Sequence, residues 1–215
     1  MTQVRTVDGR VAGRRGQATR TRLLECLAEM LTTTAYRDVT VIDVARLAGT
    51  SPATFYQYFP DIQAAVLELA GDVLRDAAAL RDLVADRSWS GRSGSAAAGQ
   101  LVDGFLNFWR DHDAILRVLD LAAAEGDRRF SRIRMKLLNI VVTAVAEAIT
   151  ELQRTGKVDG DVLPTATAGV LVTMLSACAA HTKAFESWSV KEADLRAALT
   201  RLVAWGVTGK KPVAA

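Results

Sequence analysis

The stretch TVIDVARLAGTSPATFYQYFPD, residues 40–61, constrains the fold more than any other, because it holds two helix starts and two stops in very little chain. Thr40 can cap the segment after it, and Asp43 three residues on suits a capping box and the positive end of a helix dipole. Gly49 ends that helix, since glycine enters the left-handed conformation without steric cost. Ser51 and Pro52 then form a second start, an N-cap followed by proline at the first helical position, where a missing N–H is harmless. Pro60 stops this helix after Phe59. Two short capped helices around a tight turn, with the small Ala45 allowing close approach, have the outline of a helix-turn-helix. A generic helical hairpin shares that outline.

Helical phase divides the second of these helices into two faces. At about 100° per residue, Phe55 and Phe59 fall on one side and must pack inward. Gln57 lies opposite, with Ala53 and Thr54 beside it, and Tyr56 and Tyr58 flank that outer face. The outer side chains suit a DNA major groove: glutamine can pair with adenine through two hydrogen bonds, and an alanine or a threonine methyl can touch the thymine methyl. Tyrosine hydroxyls on the flanks suit phosphates, which fix register without carrying sequence information. The tyrosines could instead bury their rings and expose only the oxygen.

Charge supports a polyanionic partner. The chain carries a formal net charge of +3, yet residues 1–22 hold six arginines against Asp8 alone, a net of +5, which leaves −2 for the rest. These arginines also interrupt any apolar leader, so a cytoplasmic protein is expected. Cys26 and Cys178 are far apart in sequence, lack metal-ligand spacing and read as buried thiols.

Elsewhere apolar residues recur at helical spacing and strand-like alternation is nearly absent, so the chain reads as all-α. Leu23, Leu24, Leu27 and Leu31 form the stripe of a first helix. A long amphipathic segment is expected over 61–86, and the Gly/Ser/Arg-rich DRSWSGRSGS, 86–95, reads as a break. Further helices are expected over 96–111, 112–124, 128–155, 165–186 and 191–206. Residues 162–180 carry no charge, but Pro164, Gly169 and many small polar side chains make a core or subunit interface the better reading than a membrane span.

With these residues in view, 40–69 resembles the helix-turn-helix and following helix of the TetR family of bacterial transcriptional regulators, in which a T-V-x-D-I-A-x-x-A-G-V-S-x-x-T-F-Y-x-Y-F pattern is diagnostic. The resemblance implies an all-α homodimer with an N-terminal three-helix DNA-binding domain and a larger C-terminal ligand-binding and dimerisation domain. It implies a near-palindromic operator, released when a small molecule binds; an activator of the same family is the alternative. Thr40, Ser51, Thr54, Tyr56 and Tyr58 match positions that contact DNA, and Ala53 and Gln57 match variable positions that set sequence preference. Ile62 departs from the pattern, because the family usually has a phosphate-binding lysine there; Gln63 or backbone N–H groups could replace it. The basic arm, including Arg14 and Arg15, is expected to reach along the DNA.

The organisation expected is a disordered basic arm over 1–18, a helix-turn-helix domain over 19–60, a connecting helix over 61–86, the ligand-binding and dimerisation domain over 87–206 and a tail over 207–215. Phe105 and Trp109 share a helix face and, on the family comparison, would line a cavity with Thr173, Met174 and Ala177; the same pair could be ordinary core. No Asp/His cluster suits a chelated metal there, so a lipophilic effector, with neither metal nor cofactor, is expected. Gly169, Ala177, Ala180 and Ala184, with Phe185, Trp188 and Trp205, suit a dimer interface. An enzyme is disfavoured: Cys178 and His181 share a helix but lack an orienting third group, and His112 between Asp111 and Asp113 has no nucleophile. A helical interaction module would not need the basic arm and polar strip together.

Overall fold

The computed structural model describes residues 13–85 and 87–209, and every regular element among them is helical. The α-helices are α1 (Arg14–Thr33), α2 (Val41–Leu47), α3 (Pro52–Tyr58), α4 (Ile62–Asp76), α5 (Gly91–Asp111), α6 (Asp113–Ala124), α7 (Arg128–Arg154), α8 (Pro164–Ala180), α9 (Thr182–Glu186) and α10 (Glu192–Thr208). Two 3-10 segments, Tyr36–Asp38 and Ala77–Leu83, supplement them. None of the helices is long and apolar enough to cross a membrane.

The chain forms two compact units, and the first comprises the described residues up to Val73 together with Asp113–Ile133. Its core is the predicted α1 stripe of Leu23, Leu24, Leu27 and Leu31, closed by Val44 and Ala45 of α2, Phe55 and Phe59, and Ala65 and Val66 of α4. Cys26 is fully buried among them, and burial pushes its thiol pKa up. Helix α1 packs against α2, α3 and α6, the last presenting Ile115, Leu116, Val118 and Leu119. Thus α6 and the first turn of α7 pack with the N-terminal helices although their sequence lies within 87–206. Polar contacts hold the α6–α7 corner in this unit: Arg37 pairs with Glu125, and the Arg129 Nη2 donates to the Gln63 Oε1 at 3.4 Å.

The second unit comprises Leu74–His112 and the described residues from Arg134 on. Helices α5, α8 and α10 pack on one another, with the 3-10 segment Ala77–Leu83 against α5. Helices α8 and α10 approach closely where Gly206 faces Leu171; a Cβ at Gly206 would lie 2.8 Å from the leucine methyls, inside any tolerable contact. Arg196 pairs with Asp103, and Arg110 with Glu192 at 2.8 Å, so ion pairs also join α10 to α5.

Several boundaries differ from the sequence expectation. The 86–95 stretch is not an open break: Trp89 is buried, its indole N–H donates to the Val84 carbonyl at 3.3 Å, and α5 begins at Gly91. The helix expected over 61–86 is α-helical only to Asp76 and continues as 3-10. The helix expected over 165–186 breaks at His181, where the backbone leaves helical geometry (φ −124°, ψ 30°) and the Nδ1 lies 2.9 Å from the Ala177 carbonyl oxygen. Residues 14–18 of the expected arm are the start of α1, while 1–12 lie outside the described residues. Val207 and Thr208, expected in the tail, complete α10.

Candidate nucleic-acid interface

Side-chain caps build the two short helices. The Thr40 hydroxyl oxygen accepts the Asp43 backbone N–H at 3.2 Å and donates to the Asp43 carboxylate at 2.6 Å. The same carboxylate takes Arg46 at 2.6 Å, closing a network along α2. Gly49 turns the chain with φ +67°; its N–H donates to the Arg46 carbonyl at 3.1 Å and the Thr50 N–H to the Ala45 carbonyl at 2.9 Å, the paired bonds of a Schellman motif. Ser51 then caps α3 by accepting the Thr54 N–H at 3.2 Å, with Pro52 at the first helical position. These bonds are all local, spanning at most five residues of chain.

Helix α3 splits into faces as its phase requires. Phe55 and Phe59 are fully buried, their ring centroids 5.4 Å apart. Ser51, Ala53 and Gln57 are exposed, and Tyr56 keeps 52% of its surface in solvent. Thr54 is half-buried, and its hydroxyl lies 3.0 Å from that of Ser51, so the cap engages its oxygen and leaves the methyl as its free contact surface. Tyr58 is half-buried. Thr40 is exposed at the start of α2.

Arg14 and Arg15 are exposed in the first turn of α1, which contains no acidic residue. Two cations at the positive end of a helix dipole oppose it, an arrangement that an approaching polyanion relieves. The start of α4 lacks the family's lysine: Ile62 is half-buried and uncharged. Asp61 caps the helix, its carboxylate accepting the Ala64 N–H at 2.7 Å, and exposed Gln63 is engaged by Arg129. Arg129 is in turn gripped by Asp127 at 2.8 Å, and hydrogen bonds from Arg129 lower the Asp127 pKa to about 2.

Arg20 follows the expected 1–18 arm and is not among the residues expected to contact DNA. It is drawn inward: its guanidinium carbon lies 5.0 Å from the centre of the Phe59 ring, its Nη2 pairs with Glu68 of α4, and its side chain is only 16% exposed. The signal was in the sequence, because Arg20 continues the helical spacing of Leu23, Leu24, Leu27 and Leu31 and so belongs to the buried face.

The five residues expected to line an effector cavity differ in burial. Phe105 and Trp109 are buried and stacked, centroids 5.1 Å apart and planes 15° from parallel, in the α5 core of the second unit. Thr173 and Ala177 are exposed and Met174 half-buried, while α8 buries Ala168, Leu171, Val172, Leu175 and Ser176 instead. A charge-free helix leaves its phase ambiguous in the sequence, and the buried stripe of α8 is the one through Leu171 and Leu175. The stripe of Val170, Thr173 and Ala177 faces out, beside which Val170 keeps 69% of its surface exposed; on α10, Leu202 and Trp205 are also exposed.

Comparison with known proteins agrees with this geometry. The family described as bacterial regulatory proteins, tetR family, matches residues 23–69, and that described as tetracyclin repressor-like, C-terminal domain, matches 80–214. A search of the curated proteins found no match. Among solved structures, a TetR-family transcriptional regulator from Rhodococcus sp. is similar at 18% identity and a TM-score of 0.67, over 88% of this chain and 99% of its own. Another, from Streptomyces coelicolor, has 14% identity and a TM-score of 0.64 over 88% and 80%. SmeT, solved as a complex with triclosan, has 13% identity and a TM-score of 0.64 over 93% and 99%. The structural likenesses carry the fold and the two family matches carry the kinship: the chain belongs to the TetR family of bacterial regulatory proteins, and is a DNA-binding transcriptional regulator, not an enzyme.

Proposed function

We propose that this regulator is a homodimeric repressor whose paired α3 helices occupy successive major grooves of a near-palindromic operator, and which leaves that operator when a small lipophilic molecule binds the C-terminal unit. The observation that carries the reading is the division of α3: Phe55 and Phe59 are buried, while Ala53, Tyr56 and Gln57 stand exposed on the other side. In this reading Gln57, Ala53 and Thr54 face the bases, while Thr40, Ser51, Tyr56, Tyr58, Arg14 and Arg15 hold phosphates. Dimerisation is supported by the uncovered apolar surface of Val170, Leu202 and Trp205, with Trp188 as a further anchor. The apolar interior around Phe105 and Trp109 favours a lipophilic effector over a charged one. Release requires only that the effector bind the form unable to span the operator more tightly than the bound form. A regulator that works on chromosomal operators resides in the cytoplasm.

The test is selection of binding sites from a random DNA pool, followed by affinity measurement with Gln57→Ala. Loss of discrimination at one base pair per half-site, by about 1–3 kcal/mol, with nonspecific binding retained, is the expected result. An unchanged sequence preference would remove Gln57 from the reading face.

A further inference from the structure

We propose that the cleft between the C-terminal end of α1 and helix α6 binds a small amphipathic anion, a compact carboxylate with an apolar body. This cleft lies wholly within the first unit, is distinct from the C-terminal effector region, and has a volume of about 320 Å³. That volume stands at the low end of small-molecule sites, roughly 300–1,000 Å³, and so admits only a small occupant.

Its lining has one charge. Leu31, Ala35, Ala114, Val118 and Leu121 supply an apolar wall, and Arg117 is the sole charged side chain on it. Two interactions hold the guanidinium in place: Nη2 donates to the Leu31 carbonyl at 3.3 Å, at the negative end of the α1 dipole, and Nε lies 3.1 Å from the Asp113 carboxylate. Both side chains of that ion pair are about half exposed, so it holds weakly and leaves guanidinium donors for a second carboxylate. Thr32 and Thr33 also line the cleft, but their hydroxyls donate to the Glu29 and Met30 carbonyls of α1, at 2.7 and 3.5 Å, and so do not compete for an anion. Tyr36 also lines the cleft; burial and then the nearby Asp61 and Asp127 raise its pKa, so its hydroxyl is neutral and brings no second charge. The negative group of an occupant is therefore held at Arg117, with its apolar body against Val118 and Leu121.

The experiment titrates the full-length protein with octanoate and benzoate, following backbone amide NMR shifts, with octanol and octylamine as charge controls. Saturable shifts at 31–36 and 114–121 are expected with the acids, and Arg117→Gln should weaken octanoate binding about tenfold or more without changing the response to octanol. Ala114→Phe, which fills the cleft, should abolish the shifts. Shifts that map elsewhere, octanol binding as well as octanoate, equal binding by Arg117→Gln, or failure of both acids to saturate would each overturn the proposal. If Arg117→Gln does not fold, Arg117→Lys must keep the preference for octanoate over octanol while Ala114→Phe loses it; equal binding by these two variants overturns the site.

Discussion

The guanidinium of Arg20 lies over the ring of Phe59, 5.0 Å from its centre, and reaches on to Glu68. One side chain thereby joins α1, the C-terminal end of α3 and the middle of α4. Phe59 is the C-cap of α3, so Arg20 packs against the end of that helix. Arg20→Ala should destabilise the protein by about 1–2 kcal/mol, from lost cation–π and charge-assisted contacts. Urea unfolding measures the loss, and Arg20→Lys should recover part of it. The salt dependence of DNA binding should not change, because no phosphate contact is removed.

Arg14 and Arg15 should behave in the opposite way. Replacing both with glutamine should leave the unfolding midpoint nearly unchanged, since both are exposed at the first turn of α1. If each neutralises one phosphate, the homodimer loses four such contacts, and the slope of log affinity against log salt should shrink by about 3.6, at ~0.9 per phosphate. Fluorescence anisotropy across a salt series reads this directly.

Gly49 holds φ at +67° with no heavy atom near the place where a Cβ would stand. Gly49→Ala should therefore cost about 1–2 kcal/mol through backbone strain alone. Gly49→Asn should cost less, because asparagine tolerates the left-handed region. Thermal unfolding of the two variants separates strain from steric clash.

Trp205 remains 46% exposed on α10, close to exposed Leu202. Trp205→Asp should shift the protein from dimer to monomer in analytical ultracentrifugation at micromolar concentration, since a charge would be desolvated in an apolar interface. A dimer of unaltered stability would place the interface elsewhere.

The Asp127 carboxylate, held by Arg129, has its pKa lowered to about 2, against an ordinary carboxylate near ~3.9. A depressed folded-state pKa contributes stability above the unfolded value and loses it as pH falls through the folded value. The Asp127–Arg129 contact should thus persist at pH 4 and fail only near pH 2, visible in the carboxyl carbon shift of Asp127. Asp127→Asn should flatten this acid limb.

The helix-turn-helix was legible because its determinants are local. Thr40, Asp43, Gly49, Ser51 and Pro52 act through hydrogen bonds and dihedral preferences spanning at most a few residues, and the phase of Phe55 and Phe59 follows from helical periodicity. Thr54, which the same phase turns outward, is half-buried, with its hydroxyl 3.0 Å from that of the exposed cap Ser51. On α8, which has no charged residue to mark a solvent face, periodicity could not choose between the stripe of Leu171 and Leu175 and that of Thr173 and Ala177.

By itself, then, the sequence determined the all-helical class, both caps, the turn at Gly49 and the two faces of α3, because each depends on neighbours a turn or less away. Tertiary structure decided which core claims α6, that Arg20 pairs with Phe59 and Glu68, and that Trp89 is buried in a stretch rich in glycine and serine. These outcomes depend on partners as distant as Phe59 from Arg20 or Leu31 from Arg117, and no local preference encodes a pairing across such separations.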